Sequence, residues 1–351
     1  MMRVLKARSD RRCLVKIAVC ALVAACAASG PASAQSFWSP RVNRTTGIAT
    51  LVRYQVAPDA MELHGTMSAP AGHFVSGLEF TPDGRLWATV QGPAGSMQQG
   101  LYSVNMDTGA ITPVGQPTGL AANEQITDLC WNPVTHRLTA AATVANGGFT
   151  TRLLGFDIHS GSVAIAQTLT SANVKVLPVG VTCRPSGEYL ILDLFNNMVA
   201  RDQENSVVFL GNVISFTAAF NQGLGTHFPT GTIWYSSFRI TNTLTSAGVP
   251  ELRTINPTNG SDSFVAVLGD NNALFTDVAV YHVPRSCPAD ITNDHTVEDA
   301  DFVQFASQYD ALECGSPAMS GNCSGDFNFD GSVDDADFVL FAIAYDALVC
   351  P

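Results

Sequence analysis

Positive charge is scarce in this chain of 351 residues: 18 Lys and Arg stand against 30 Asp and Glu, a net charge of −12. Nucleic acid demands a basic footprint for its phosphates, so no nucleic-acid partner is expected. Long apolar runs are also missing. Beyond a segment at the N-terminus, none approaches the ~20 residues of a membrane helix, and no transmembrane helix is expected in the mature chain. The familiar chemical signatures are lacking too: Gly-x-Ser-x-Gly, His-Glu-x-x-His, a phosphate loop and Cys-x-x-Cys do not occur, which leaves no motif-level catalytic assignment. Cysteine is thin in the middle. Of nine, three fall in the first 26 residues, four in the last 65, and only Cys130 and Cys183 lie between.

The first residues read as an export signal. Arg3, Lys6, Arg8, Arg11, Arg12 and Lys16 precede an apolar run from Ile17 to about Ala28, and Ala32-Ser33-Ala34 then stands before Gln35. This is a secretory signal over 1–34 with cleavage near Ala34. Val23-Ala24-Ala25-Cys26 resembles a lipobox, so lipidation at Cys26 is the alternative. Either route puts the protein outside the cytoplasm: secreted, periplasmic or on the cell surface.

The C-terminal segment says one thing twice. Cys287–Cys314 and Cys323–Cys350 are two copies of a unit offset by 36 residues. Thirteen of the acidic side chains lie from Arg285 onward, against one basic residue. The acidic residues fall at positions 1, 5, 9 and 12 of two twelve-residue loops, with Gly331 at position 6 of the second, which is the oxygen cage that Ca²⁺ needs. An aromatic-rich helix is predicted after each, placing Phe302, Phe305 and Tyr309, and likewise Phe338, Phe341 and Tyr345, at i, i+3 and i+7 of one face.

This unit resembles a type I dockerin, in particular the Cys-bracketed variety of GC-type dockerin-anchored secreted bacterial proteins. The resemblance covers 285–351. It implies two Ca²⁺ ions, held by Asp290, Thr292, Asp294, Thr296 (backbone C=O), Glu298 and Asp301 in loop one. In loop two the implied ligands are Asp326, Asn328, Asp330, Ser332 (backbone C=O), Asp334 and Asp337. His295 stands where loop one wants Gly, a strain of order 1 kcal/mol, and Thr292 replaces a better oxygen donor, so site one is expected to be the weaker. A cohesin-like or other cell-surface protein partner is implied, with contacts at Asp299, Ala300, Asp335 and Ala336. In an oxidising compartment the four cysteines should pair. Two symmetric pairings respect the repeat: Cys287–Cys314 with Cys323–Cys350, or Cys314–Cys323 with Cys287–Cys350. Antiparallel helices of the dockerin kind favour the second.

The body, 35–284, has few helical periodicities and many short strands bounded by Gly, Pro, Asn and Asp, which reads as all-β. Two phrases recur about every 45–52 residues. One runs Gly77-Leu-Glu-Phe-Thr-Pro82, then Asp128-Leu-Cys-Trp-Asn-Pro133, then Gly180-Val-Thr-Cys-Arg-Pro185, with a weaker copy at Thr226-His-Phe-Pro229. The other is a strand ending in a tight turn at Gly109, Gly161 and Gly260, where Gly supplies a positive φ. Two hairpins per period is the arithmetic of a four-stranded propeller blade. The fold class expected is therefore an all-β propeller of about five blades, followed by a small α dockerin-like module with two EF-hand-type calcium loops. In architecture the body resembles WD40-like and quinoprotein-like secreted propellers. Strands from 48–56 and 62–67 are expected to complete a blade begun near Phe275 and so close the ring. Counted from the aligned prolines, Cys130 and Cys183 point to opposite faces of their strands, so two buried thiols are expected rather than a disulfide.

Candidates for chemistry in the body are few. Asp128, Asp277, His227 and His73 fall near inner-strand starts and could form a metal ring in the channel. Equally, Asp before a strand serves as a turn cap. Trp38, Trp87, Trp131, Trp234 and Tyr235 could form a sugar-stacking platform, with carbohydrate as the partner, or could simply be core. Three functional readings result: a non-enzymatic binding or structural propeller held at the surface by its docking module, a polysaccharide-degrading hydrolase or lyase delivered by that module, and a small-molecule enzyme with a metal in its channel.

Overall fold

A computed structural model describes residues 36–93, 95–145, 149–169, 177–194, 197–201, 207–212, 222–243, 245, 247–281, 287–292 and 296–347. The expected export signal of 1–34, Gln35, Asp294, His295, Pro284 and Cys350 lie outside them. The chain is mainly β, in a propeller arrangement, with two short helices at its C-terminal end.

After β1 (Ser36–Asn43), β2 (Ala49–Gln55) and β3 (Ala60–Met67) come four sheets, each a meander of consecutive antiparallel strands. They are β4–β7 (Phe74–Phe80, Leu86–Gln91, Gly100–Val104, Ile111–Pro113) and β8–β11 (Glu124–Asn132, Arg137–Ala145, Phe149–Phe156, Val163–Thr168). Then come β12–β15 (Pro178–Cys183, Tyr189–Asp193, Asn197–Arg201, Val207–Asn212) and β16–β19 (Gly223–His227, Thr232–Asn242, Ala247–Ile255, Asp262–Val267). The remaining sheet is composite. The short strands β20 (Ala273–Phe275) and β21 (Ala279–Val280) pair antiparallel with β1, through Val42 with Leu274 and Trp38 with Ala279, and β2 and β3 follow outward. The two ends of the body thus share one sheet, as the repeat arithmetic requires, although β1 itself has no counterpart among the phrases that revealed the repeat.

An apolar layer lies between each pair of neighbouring sheets. Trp38, Leu78 and Phe80 fill one; Trp87, Leu129 and Trp131 the next; Cys130, Val181 and Cys183 the third; Leu192, Leu224 and Tyr235 the fourth; Phe37, Trp234 and Phe275 the fifth. Cys130 and Cys183 are buried thiols that form no disulfide. They point to opposite faces of adjacent sheets, which sends both into the same layer. All four tryptophans and Tyr235 are buried in these layers, so the sugar-stacking platform is not formed from them: their flat faces are spent on neighbouring sheets.

One turn recurs at the hairpins. Asn43, Asn105, Asp157 and Asn256 each accept, through the side-chain oxygen, an N–H two residues on, and the N–H of Gly47, Gly109, Gly161 or Gly260 closes back on the same residue's carbonyl. Those glycines have φ near +70°, a conformation that costs other residues about 1 kcal/mol or more. Glycine has a second use at the axis. A methyl on Gly223 would lie 2.2 Å from the Cα of Asp277, whereas one on Gly47 would meet nothing within 4 Å.

In the C-terminal module, α1 (Asp299–Tyr309) and α2 (Asp335–Ala347) pack over Val297, Val333 and Cys323. Phe305 and Phe341 stack at 5.1 Å and are both buried. The helix stripe is only partly core: Phe302 reaches across to Phe341 and Phe338 to Phe305, yet both remain 44% exposed. Cys314 bridges Cys323, and Cys287 is bonded to a cysteine outside the described residues.

Two glycine substitutions separate conformational strain from steric exclusion. Gly47→Ala should cost about 1 kcal/mol; Gly223→Ala should cost about 3 kcal/mol or more, because backbone rather than a flexible side chain blocks the methyl. Calorimetric unfolding of both variants checks this, and equal melting temperatures would show that the axis is looser than described.

Candidate functional site

In each C-terminal loop the position-12 aspartate is the keystone. Asp301 accepts the N–H of Thr292 at 2.8 Å on one oxygen and that of Glu298 at 2.9 Å on the other. Asp337 does the same for Asn328 at 3.0 Å and Asp334 at 3.1 Å. Loop positions 3 and 9 are thereby clamped identically in both copies. Position 1 is buried in both, as Asp290 and Asp326. Asp326 receives the N–H of Asp330 at 3.2 Å and of Gly331 at 2.9 Å, Asp330 receives that of Ser332, and the Asn328 carbonyl oxygen that of Asp330. Gly331 has φ +88° at position 6.

Gathering these carboxyls has an electrostatic consequence. Burial, with the charge of Asp326 adding to it, pushes Asp337 up to about 6 against the pull of its backbone donors. A buried set of oxygens that resists its own negative charge suits a hard cation, so the donor chemistry of loop two fits Ca²⁺. Thr292 also turns its hydroxyl to Asp290 at 3.3 Å; Thr296 and Glu298 lie on the exposed side of loop one. His136 and Asp326 stand close to Cys314 and Cys323, but two sulfurs joined in a disulfide are not thiolate ligands.

The residues of the implied partner surface are exposed, and two are already engaged. Tyr309 donates its hydroxyl to Asp335 at 2.6 Å, and Tyr345 donates to Asp299. Each helix therefore ties its end to the opposite loop, a reciprocal pair that the repeat contains but that only packing reveals. Ala300 and Ala336 sit beside these bonds, next to exposed Val303, Val339 and Ile343.

In the body, the described inner strands converge on an axis plugged by carboxyls. Gly77, Asp128, Gly180, Gly223 and Asp277 occupy equivalent positions, and the glycines leave room for the two aspartates. Asp128 accepts the Val181 N–H at 2.6 Å, Asp277 those of Leu78 and of Val278, and Glu79 those of Phe80 at 2.8 Å and Trp131 at 3.3 Å. Side-chain oxygens thus satisfy main-chain donors of neighbouring sheets where no ladder can. The Asp128 carboxyl also feels the charge of Asp277. Burial, then the neighbouring charge, raises Asp128 well above the ordinary carboxylate range, and burial raises Asp277 to about 7. Burial beside a like charge therefore favours the neutral form of these acids.

The histidines do not join them. His73 bonds the Ala71 carbonyl and Ser96, while His227 ends β16 and bonds Thr230. The anticipated ring of Asp128, Asp277, His73 and His227 is not assembled, because Gly223 and not His227 stands at the level of the aspartates. Glu79, which sequence reading passed over, is a further buried acid beside this pair; its signal was a carboxylate in the middle of an apolar strand phrase. Above the plug lies a shallow pocket of about 230 Å³. Ser76, Thr127, Val179, Gln222 and Thr276, one residue before each axial position, line it.

No family model and no curated protein matches this chain. Among solved structures it is similar to a protein of unknown function from Bacteroides caccae, at 15% identity and TM-score 0.42, over 72% of this chain and all of that one. It is also similar to a putative TolB from Agrobacterium tumefaciens, at 13% identity and TM-score 0.37, over 72% and all of that chain. A putative 6-phosphogluconolactonase from Bacteroides uniformis follows at 12% identity and TM-score 0.35, over 67% and 82%. A shared activity does not follow from such values. Among the described residues no helix is long and apolar enough to cross a membrane.

The acid pair makes a pH prediction. An aspartate whose pKa is raised on folding takes up a proton, so its contribution to stability is fully present below about pH 4 and is lost as the pH rises to about 7. Asp128→Asn removes one of the two raised acids and should shrink the fall in melting temperature between pH 5 and pH 8. An undiminished fall would show that the pair is not the source.

Proposed function

We propose that the C-terminal module binds two Ca²⁺ ions and docks its host on a cohesin-like or cell-surface protein partner, outside the cytoplasm. The body is proposed to be a closed five-bladed propeller, the composite sheet being the fifth blade, that serves as a binding or structural component. The observation that carries the reading is the identical clamp of Asp301 and Asp337 on positions 3 and 9 of two loops that each bury an aspartate at position 1. Chance acidity on a solvated face would not bury its charges, nor bury them twice in the same register. Ca²⁺ would be held by Asp290, Thr292, Asp294, Thr296, Glu298 and Asp301, and by Asp326, Asn328, Asp330, Ser332, Asp334 and Asp337. It would cancel repulsion among the clustered oxygens and fix both helices, presenting Asp299-Ala300, Asp335-Ala336 and the apolar residues beside them as one pseudo-twofold surface.

A second reading has one observation in its favour. The pocket at the channel mouth offers Ser76, Thr127, Gln222 and Thr276 over an uncharged rim, which suits a small neutral polar ligand better than an anion or a polymer.

Calorimetry of the full chain tests the main reading. Two Ca²⁺ should bind; Asp290→Ala and Asp326→Ala should each remove one, and the double variant both. Binding that survives the double variant would move the site elsewhere, and the absence of any calcium heat or calcium-dependent melting shift would end the reading.

A further inference from the structure

The second calcium loop does not stand free of the body. Phe329, at loop position 4, meets Trp131 edge-on at 5.7 Å and His136 at 6.1 Å, and joins the apolar layer between the sheets of β4–β7 and β8–β11. His136 Nδ1 is buried without a hydrogen-bond partner and points to Asp326 Oδ2 at 3.4 Å. Arg137 lies flat on loop position 6: a methyl on Gly331 would sit 2.6 Å from its Nε. Thr135 touches Gly315 in the same way, at 3.5 Å from where a methyl would be.

These propeller residues belong to one turn, and that turn breaks its own rule. At the β8–β9 connection Asn132 accepts the N–H groups of Val134 and Thr135, as Asn43 and Asn105 do in theirs. The fifth residue, Gly in the other copies, is here His136 at φ +48°. A side chain in that backbone region is strained by about 1 kcal/mol. The imidazole it gains is the group that faces Asp326.

We propose that the 132–137 turn is an intramolecular seat for loop two, and that the seat and a Ca²⁺ ion in that loop oppose each other. The inference rests on loop two binding calcium. Arg137 carries a permanent charge and, among the described residues, makes no ion pair; it therefore stands as an uncancelled cation on the rim of the cage. A divalent ion entering beside it is repelled, and Phe329 is simultaneously held by Trp131 in the seated arrangement. By linkage the repulsion is reciprocal: calcium in loop two loosens the module from the propeller to the same degree that the seat weakens calcium.

The test is calcium calorimetry on the full chain, wild type against Arg137→Ala and Arg137→Lys. Arg137→Ala should tighten one ion about four- to sixfold at low ionic strength, the size expected of one charge acting on a divalent ion across roughly 8–10 Å of largely aqueous medium, and should leave the other unchanged. Arg137→Lys, which keeps the charge, should stay near wild type. In an Asp326→Asn background the alanine effect should vanish. Trp131 gives an independent readout, since calcium should shift tryptophan emission of the wild type at the affinity of the responsive site. Two ions with superimposable isotherms for wild type and Arg137→Ala would overturn the coupling while leaving the calcium reading intact. No ion in the wild type would overturn both.

Discussion

At the axis of the propeller the inner strands come so close that a side chain there must either vanish or become a hydrogen-bond partner. Everything else in the body adjusts to that crowding. Gly77, Gly180 and Gly223 vanish; Asp128, Asp277 and Glu79 become partners, reaching across to the main chain of the neighbouring sheet. Neighbouring sheets in this fold share no ladder, so their inner-strand N–H groups have nowhere else to bond, and a buried donor left alone costs about 1–3 kcal/mol. The carboxyls are themselves costly to bury. Burial raises the pKa of both Asp128 and Asp277, which limits the negative charge held in that dry place. The composite sheet adds to the scheme: β1 lies between β2 and β20–β21, so the first strand of the body is paired on both sides.

Much of this was legible because it repeats. The aligned phrases that begin at Gly77, Asp128 and Gly180 mark the positions that meet at the axis, and the Gly109, Gly161 and Gly260 turns fall where their positive φ is used. The strand β1 was not legible, for a physical reason. Pro40 lies in its middle, and proline in a strand paired on both sides argues against that strand; here the neighbouring chain accommodates it, with the Pro40 carbonyl taking the Thr276 N–H. The histidines misled in the opposite way. His227 sits in a phrase that matches the repeat, but the match places it at the far end of its strand, and periodicity along the chain does not say which end faces the channel mouth.

The module shows what duplication can and cannot encode. Side-chain-to-backbone clamps are local, and the twelve-residue spacing alone implies them, so Asp301 and Asp337 could be picked out by counting. The bonds from Tyr309 to Asp335 and from Tyr345 to Asp299 run between copies. They depend on how two helices lie against each other, which no repeat period specifies. The same is true of the stripe of Phe302, Phe305 and Tyr309: helical spacing put the three on one face, but the partner helix is too narrow to cover more than its centre. What remains uncovered is apolar, contiguous and next to the loops, in a segment with too little core to ignore such exposure.

Local rules that fail at one place in a repeat carry more information than rules that hold. The hairpin turn of this body is built several times with glycine at its left-handed position and once with histidine, at residue 136. Nothing in the turn itself benefits, since the backbone is strained and a ring nitrogen is left without a hydrogen bond. The compensation lies across the boundary between body and module, in Asp326, Phe329 and Gly331. A module that merely trailed from its host would have no use for that strain. The departure therefore locates the contact from the sequence side, as the distances locate it from the structural side, and it makes the loop of residues 326–337 the part of the module that touches the propeller.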